Sequence, residues 1–387
     1  MQPEINNPDH ENTGSKPVSS FRFRLSPVIF LVLRIISVAV YILTIIAAYG
    51  GYINPEDFTF PSLLCLGLPY LAIVTILFII FWALARKLWF CSYGVLTILL
   101  CVGSLGNAFP LGWAREGSGK GETFKIMAWN VIHTWDLRHR DWTGNRAVSY
   151  MLNSGADLIC LSELNNFTNK EIKDITEAQT DSLNAIYPYR GWKAGSGIRV
   201  LSKYPIERLN YSRYDHKGEC RFDLFLVTFP EGRELVVAVV HLYSYGLTDR
   251  ERKVVTEINS VKTAESSMRE FKGSIRQKLK HAFKMRAEDA SELREALNEI
   301  APDIPLIVCG DFNDVPASWT YNIVKGDDLR DAYAETNIGP AVTYNMHAFY
   351  FHIDQMLYRG PLKALDLNVG KIDTSDHYPL IGEFEFE

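Results

Sequence analysis

The chain has 387 residues, with 40 Lys and Arg against 45 Asp and Glu, a net charge of −5, 47% hydrophobic residues and 22% charged residues. This composition excludes a disordered chain, and it excludes a strongly basic domain that binds nucleic acid through bulk charge. The charges are unevenly distributed, because the first 111 residues hold only 6 Lys and Arg and 5 Asp and Glu. The remaining 276 residues are enough to bury the core of one full domain or of two small ones.

Three apolar runs follow a polar N-terminal tail, which we predict to be flexible over residues 1–27. They span residues 28–49, 62–84 and 88–109, and Arg34 is the only charged residue within them. Each run exceeds the roughly 20 residues that a helix needs to cross a membrane. We therefore predict an α-helical membrane anchor of three transmembrane helices, a multi-pass integral membrane protein. The alternatives are buried core helices and, for the first run, a cleaved signal peptide.

The flanking basic residues predict the orientation of these spans. Residues 50–61, between the first two runs, contain no Lys or Arg. Five basic residues mark the predicted cytoplasmic side: Lys16, Arg22, Arg24, Arg86 and Lys87. After three crossings the C-terminal part is then extracytoplasmic. Three basic residues just beyond the third run favour the opposite orientation: Arg115, Lys120 and Lys125.

Short β-type runs and helical patterns alternate after a Gly-rich linker predicted at residues 110–122. The predicted strands are 124–129, 158–161, 199–201, 222–229, 235–241, 306–309 and 353–357. Helical patterns occupy residues 142–154 and 249–300. This mixture predicts an α/β sandwich over residues 123–387, with helices on the outer faces of central sheets. The six cysteines lack CxxC spacing, so they indicate neither a zinc knuckle nor a disulfide framework.

Polar side chains gather where the predicted strands begin or end. A single residue of this kind is typical of a turn or of a solvated strand end. Several in one domain indicate a shared site, because each is held at the rim of a rigid core. The residues are Asn130, Glu163, His241, Asp311, Asn313, Asp354, Asp376 and His377.

The motifs that contain these residues resemble the exonuclease–endonuclease–phosphatase superfamily. In chain order they are MAWNV, LSEL, HL after a valine-rich strand, GDFND, HID and SDHYPL. The superfamily includes deoxyribonuclease-I-like enzymes, neutral sphingomyelinases and inositol polyphosphate 5-phosphatases. The resemblance covers residues 123–387 and implies a four-layered α/β/β/α sandwich with its site at one edge. In deoxyribonuclease-like members an acidic residue supports the first histidine, and Glu219 and Asp223 are the candidates here.

Hydrolysis of a phosphodiester requires that its negative charge be neutralised, and a hard divalent ion with oxygen ligands does this. We predict Mg²⁺, with Mn²⁺ and Ca²⁺ as alternatives. The predicted metal ligands are Glu163, with Asn130 beside it, and Asp376.

The same reaction requires proton transfer to and from the reacting oxygens. We predict His377 as a general base or phosphate donor that Asp354 orients, and His241 as the second proton-handling group. Asp311 and Asn313 are predicted to position the attacking water and the phosphate. The resemblance assigns the same roles and implies in-line displacement without a covalent enzyme intermediate. The predicted phosphate contacts are Asn130, Asn313, His241 and His377.

The prediction is a membrane-anchored, divalent-metal-dependent phosphohydrolase that acts on a phosphodiester rather than a monoester. A phospholipid, a nucleic acid and a small phosphodiester all remain possible substrates. One alternative is a tethered nuclease, which the net charge of −6 beyond residue 111 disfavours. Another is a catalytically silent binding module of the same fold. The partners predicted are this substrate and the lipid bilayer, and the sequence indicates no protein partner.

A basic amphipathic stretch at residues 262–286 contains 8 Lys and Arg. Phe271, Ile275, Leu279 and Phe283 recur every four residues within it. One interpretation is a surface helix that packs its apolar face on the sheet. The other is a helix that attracts anionic headgroups or substrate phosphates.

Overall fold

The computed structural model describes residues 26–118, 121–132, 144–164, 175–214, 218–246, 265–346 and 350–387. The predicted N-terminal tail lies outside these residues except for Ser26, which caps the first helix through its side chain, and Pro27, which begins that helix. Within residues 26–118 five helices form what we term the helical unit. They are α1 Pro27–Tyr49, α2 Phe60–Cys65, α3 Leu68–Leu84, α4 Leu88–Leu100 and α5 Val102–Ala108.

The structure corrects the prediction of three unbroken transmembrane helices. In the described residues only the first run forms one helix that is long and apolar enough to cross a membrane, Pro27–Tyr52. The second run is divided at Gly67, before Pro69 in the first turn of α3, where proline and its preceding residue disfavour a continuous helix. The third run bends by 68° between α4 and α5, next to Gly103 and Ser104, a residue pair typical of kinks.

Polar groups join the helices of the unit, while many apolar side chains face outward. The hydroxyl oxygens of Thr44 and Thr75 lie 2.9 Å apart between α1 and α3, and Tyr41 donates a hydrogen bond to the carbonyl oxygen of Phe90 on α4. In contrast, Leu31, Leu77 and other large apolar residues of α1, α3 and α4 are exposed. The unit thus buries the polar groups of Thr44 and Thr75 between its helices and exposes a large apolar surface.

The C-terminal domain, residues 123–387, contains two six-stranded sheets within its described part. Its strands are β1 Thr123–Asn130, β2 Leu158–Ser162, β3 Tyr189–Trp192, β4 Arg199–Ser202, β5 Ile206–Tyr214, β6 Cys220–Thr228, β7 Glu234–His241, β8 Leu306–Asp311, β9 Arg330–Asp331, β10 Asp354–Arg359, β11 Leu362–Val369 and β12 Leu380–Phe386. The strand orders are β11-β12-β1-β2-β4-β3 and β5-β6-β7-β8-β10-β9. The pairs β1–β2 and β7–β8 are parallel, and the other neighbours are antiparallel.

Helices cover the outer faces of both sheets, so the predicted α/β/β/α sandwich is confirmed. The helices are α6 Arg146–Asn153, α7 Glu177–Ile186, α8 Glu265–Glu299, α9 Trp319–Lys325 and α10 Ala332–Thr336. Side chains such as Ile126 and Val237 pack between the sheets. The first sheet packs Trp129 against α6, and the second packs Val308 against α8 and α9. Strand side chains are therefore buried on both faces of the sheets, as their continuous apolar runs indicate.

The helical unit and the predicted linker both contact the C-terminal domain. Ala317, just before α9, packs against Ala47 and other buried residues of the unit. Asn322 on α9 donates a hydrogen bond from its side chain to the carbonyl oxygen of Gly51, at 3.0 Å. In the predicted linker, the backbone nitrogen of Arg115 donates to the carbonyl oxygen of Leu365, at 2.7 Å. The unit is thus held against the domain at the end of α1.

Candidate active site

The ends of parallel strands bring four of the predicted residues to one edge of the sandwich. Asn130 ends β1 and pairs in register with Ser162 on β2, so Glu163 follows at the same edge. On the second sheet, His241 ends β7 opposite Asp311, which ends β8. Because each pair is parallel, both of its strands end at the same rim.

Antiparallel neighbours and one loop add Asp354 and His377 to this edge. Asp354 begins β10 in register with Asp311. Ser375 fixes the loop before β12, because its hydroxyl donates to the carbonyl oxygen of Asn130 at 2.8 Å and accepts from the backbone nitrogen of His377 at 3.2 Å. The indole of Trp129 donates to the carbonyl oxygen of His377 at 2.9 Å. The site therefore includes residues from both sheets.

Asn130 joins Glu163 to Asp311. Its side-chain nitrogen donates to Glu163 Oε1 at 3.0 Å and to Asp311 Oδ2 at 3.1 Å. His241 Nε2 lies 3.3 Å from the same Glu163 oxygen. Glu163 has a φ of 57°, a left-handed conformation that costs a non-glycine residue roughly 1–3 kcal/mol and is concentrated at functional sites.

Asp311 lies at the centre of the arrangement and is buried. The backbone nitrogen of Asn313 donates to its Oδ1 at 2.7 Å, and the side-chain nitrogen of Asn313 donates to its Oδ2 at 3.2 Å. This Oδ2 lies 3.6 Å from His377 Nε2 and 4.0 Å from His241 Nε2. One carboxylate oxygen thus faces both imidazoles.

His377 is held from its other side by Asp354, with Nδ1 2.9 Å from Asp354 Oδ2. The hydroxyl oxygen of Thr343 accepts hydrogen bonds from the backbone nitrogens of Ile353 and Asp354, both at 3.0 Å, and this fixes the start of β10. Asp376, a predicted metal ligand, lies beside this histidine, with Oδ1 3.9 Å from His377 Nε2.

The charges of the site shift the pKa values of both histidines upward. Burial lowers the pKa of His241, but the hydrogen bond and charge of Glu163, with Asp311, outweigh burial and raise it. Burial also lowers the pKa of His377, while Asp354 and Asp311 raise it well above its usual value. Both imidazoles are therefore stabilised in their protonated form.

The two central carboxyl groups differ in their pKa values. Burial raises the pKa of Glu163, but His241, Asn130 and His377 together outweigh burial and lower it to about 2. For Asp311, burial raises the pKa to about 6, with Asp354 adding to the rise and His377 opposing it. The carboxyl group of Glu163 is thus held ionised, while that of Asp311 binds a proton more readily than a free carboxyl group does.

The donor set fits a hard divalent cation. Asp311, Asp354 and His377 are buried, and each offers one ligand atom within 4.8 Å of the others. Glu163 adds a further carboxylate that shares Asn130 with Asp311. Oxygen donors predominate, as Mg²⁺, Mn²⁺ and Ca²⁺ require, and carboxylates outnumber imidazoles, so a cation relieves excess negative charge.

Residues 133–377, more than half of the chain, match the endonuclease/exonuclease/phosphatase family. The chain belongs to this family. Its members hydrolyse phosphoester bonds, typically with divalent metal ions. The matched range begins three residues after Asn130 and ends at His377, so every other predicted site residue lies within it. Residues 29–108, the helical unit, match a domain of unknown function.

Several solved structures are similar to this chain, although their sequence identity to it is low. An endonuclease/exonuclease/phosphatase from Beutenbergia cavernae is 18% identical, with a TM-score of 0.44 over 68% of this chain and 72% of that one. The human Nocturnin catalytic domain with bound sulfate is 18% identical, with a TM-score of 0.47 over 68% and 95%. TDP2 of D. rerio with a single-stranded DNA product is 18% identical, with a TM-score of 0.42 over 68% and 99%. Among curated proteins, none matches the chain.

Sequence reasoning missed several residues that hold the site together. Arg286 on α8 is fully buried and lies 3.2 Å from Asp314, the last residue of the GDFND motif. It also donates to the carbonyl oxygen of Tyr243, just after His241, at 2.9 Å. The GDFND motif could have identified Asp314 as a residue of the site. Arg286 could not be singled out in the same way, because it belongs to a stretch with many other basic residues. Ser375, in the SDH motif, and Thr343 were also missed.

The acidic candidates for supporting His241 have other partners. The carboxylate of Asp223 is buried and lies 2.6 Å from Nε of Arg208. Glu219 lies 3.0 Å from Arg221. Among the described residues, the charged group that approaches the Nε2 atom of His241 most closely is Glu163, from the other sheet.

Proposed function

We propose that the protein is a membrane-attached phosphodiesterase that depends on a divalent metal ion, Mg²⁺ in preference to Mn²⁺ or Ca²⁺. The observation that carries this proposal is the convergence of Glu163, His241, Asp311 and His377 at one rim, with Asn130 and Asn313 between them. An array of carboxylates and protonated imidazoles suits the neutralisation of a phosphoryl group and the transfer of protons.

Each side chain has a role in the proposed reaction. Asp311, fixed by Asn313, orients the attacking water and takes its proton. His377, held by Asp354, donates from Nε2 to a phosphoryl oxygen. His241 gives its proton to the leaving oxygen. Asn130 and Asn313, whose side-chain amides donate to Asp311 in this structure, would each turn one donor to the phosphate when the substrate binds. The phosphorus–oxygen bond to the leaving group breaks as the bond to water forms, so no covalent enzyme intermediate arises.

The residues that would hold the ion are Glu163, Asn130 and Asp376, as predicted from the sequence. They lie beside the buried group of Asp311, Asp354 and His377, which also offers ligand atoms but which the proposed reaction uses for proton transfer. A bound divalent ion supplies positive charge that polarises the phosphoryl group. Mg²⁺ needs only one or two protein carboxylates because it retains several waters. The low pKa of Glu163 supports this assignment, since a ligand carboxylate is deprotonated.

The helical unit supports attachment to a lipid bilayer. α1 is long and apolar enough to cross a membrane, and the unit exposes large apolar side chains on α1, α3 and α4. Such a surface is costly in water and is expected in lipid. We propose that α1 crosses the membrane and that the C-terminal domain is extracytoplasmic, since it packs at the end of α1 opposite the N-terminus. Resistance to alkaline carbonate extraction tests the attachment, and protease protection in intact cells tests the orientation.

A phosphoester panel tests the activity of the full chain in detergent. The substrates are bis-p-nitrophenyl phosphate, p-nitrophenyl phosphate, single-stranded DNA and phospholipid vesicles, each with Mg²⁺ or with EDTA. We expect the diester to be hydrolysed faster than the monoester, and EDTA to abolish the activity. Glu163→Gln and His377→Gln are each expected to lower the rate about 10²–10⁴-fold.

Each alternative predicts a different result in the same panel. DNA as the preferred substrate would identify a tethered nuclease, and lack of hydrolysis of all four substrates would favour a silent binding module. Unchanged rates in both variants would place the chemistry elsewhere. Circular dichroism of the variants establishes that a loss of rate is not a loss of folding.

A further inference from the structure

A groove of about 380 Å³ lies between the helical unit and α8, outside the candidate active site. One wall is the α1–α2 connection and the start of α2, and the other is the face of α8 between residues 275 and 284. On the first wall Phe58, Phe60 and Leu63 are exposed. On the second, Ile275 and Phe283 are buried. The groove therefore has apolar walls that the described part of the chain leaves partly open to solvent.

Three cations line the same groove at intervals of one helical turn. Arg276 and Lys280 are exposed, and Lys284 is half-buried. The hydrogen bonds and ion pairs of the described residues give none of the three a partner. Glu56 and Asp57 lie on the opposite wall, so three cations face two carboxylates. The groove thus combines apolar walls with a small excess of positive charge.

We propose that this groove binds one anionic phospholipid from the bilayer surface, with the headgroup phosphate at Lys280 and Lys284 and an acyl chain along Phe60 and Leu63. Charge complementarity favours this occupant, because unpaired lysines near a membrane surface attract anionic headgroups. The position favours it too, because the α1–α2 connection emerges from the end of the membrane-spanning helix. This inference rests on the proposed membrane attachment and not on the proposed hydrolysis.

The site gives the basic amphipathic helix a second function besides packing. The face of α8 around Ala287 and Leu293 packs on the second sheet, while Lys278 and His281 line the cleft that contains Glu163 and His241. A lipid at Lys280 and Lys284 would therefore occupy the side of α8 that faces the helical unit. The groove and the cleft are lined by different residues, so the two can be tested separately.

Native mass spectrometry of the full chain in detergent tests the headgroup. The probes are equimolar 1-palmitoyl-2-oleoyl phosphatidylglycerol and phosphatidylcholine. We expect phosphatidylglycerol to be retained over phosphatidylcholine by roughly fivefold or more. The double variant Lys280→Gln/Lys284→Gln should bring this ratio close to one. The matched control Lys325→Gln/Lys371→Gln, one half-buried and one exposed lysine outside the groove, should leave the ratio unchanged.

Two further arms test the charge balance and the apolar wall. Glu56→Gln/Asp57→Asn should raise the retention of phosphatidylglycerol, since it removes both carboxylates. Phe60→Ala should lower the retention of both lipids several-fold, whereas Ile186→Ala, an exposed apolar residue at the end of α7, should not.

The proposal would be overturned if the wild-type chain retained phosphatidylglycerol and phosphatidylcholine equally. It would also be overturned if the lysine variant and its control lost the preference for phosphatidylglycerol to the same extent. Displacement of the lipid by an equal concentration of glycerol 1-phosphate would also overturn it, because it would show a site for free phosphate. Extraction of the chain by carbonate would refute the membrane attachment, whatever the lipid ratio. Loss of phosphodiesterase activity has no bearing on these outcomes, so the two proposals fail separately.

Discussion

The Nδ1 atom of His377 lies 2.9 Å from Oδ2 of Asp354, and both side chains are almost completely buried. An ionised carboxylate only accepts hydrogen bonds, so the imidazole donates through Nδ1. This fixes the ring so that Nε2 faces Asp311, 3.6 Å away. The pair links β10 on the second sheet to the loop before β12 on the first, and it therefore sets the direction in which His377 acts.

Asp354→Asn tests this relationship. The amide keeps the size of the side chain but removes the negative charge, so the imidazole loses its orientation and the support of its protonated form. We expect kcat to fall about 10²-fold or more, with a much smaller change in KM, because the role is realised in the reaction rather than in substrate binding. Asp366→Asn, at a half-buried position on β11, is the matched control. A similar kcat in the two variants would show that Asp354 does not orient His377.

Removal of the predicted metal ligand is expected to abolish the response to Mg²⁺. A ligand that binds the folded state alone stabilises it by about 2.7 kcal/mol at a hundredfold excess over Kd. Thermal unfolding of the wild type should therefore shift upward with added Mg²⁺ and return with EDTA. Glu163→Gln should remove the shift, whereas Glu234→Gln, an exposed residue, should retain it. An equal shift in both variants would exclude Glu163 as a ligand.

Gly51 is expected to tolerate no side chain. A Cβ atom at this position would overlap the carbonyl oxygen of Ala317 and would lie 2.7 Å from Nδ2 of Asn322. Gly51→Ala should therefore destabilise the contact between the helical unit and the domain by about 1–3 kcal/mol. Gly106→Ala, where a Cβ would meet nothing within 4 Å, is the control. Thermal unfolding measures the effect, and equal midpoints would show that the unit is not held at this contact.

Asp223 is expected to make stability depend on pH. Burial raises its pKa from 3.8 to about 6, although Arg208 opposes the rise. The folded state thus binds the proton more tightly than the unfolded state, so this contribution to stability is fully present below about pH 4 and is lost as the pH rises through 6. The loss amounts to about 3 kcal/mol.

Thermal unfolding between pH 4.5 and 7.5 measures this effect as a difference between the wild type and Asp223→Asn. The wild type should lose stability relative to the variant as the pH rises. The stability of Asp181→Asn, at an exposed position on α7, should depend on pH in the same way as that of the wild type. A constant difference between wild type and Asp223→Asn would mean that Asp223 does not titrate in this range.

Local pattern was sufficient to locate the strands that are buried on both faces. Continuous apolar runs predicted β1, β2, β7 and β8, whose ends hold the site. β5 and β12 were missed, because polar residues alternate along them, as in EFEF near the end of β12. β3 was also missed, because it has only four residues and one of them is glycine, so its sequence shows little strand pattern.

The α/β sandwich of the C-terminal domain, its family and the strand-end residues of the candidate site could be predicted from the residues alone, since strand ends and motif order are properties of neighbouring residues. Which of those residues touch could not be predicted in this way. The bond from Asn130 to Asp311 joins positions 181 residues apart, and it depends on how two sheets pack. The groove beside α8 likewise depends on packing. The breaks in the second and third apolar runs have local causes at Pro69 and at Gly103 and Ser104, but hydropathy alone did not indicate them, because it reports the length of an apolar run and not the path of its backbone.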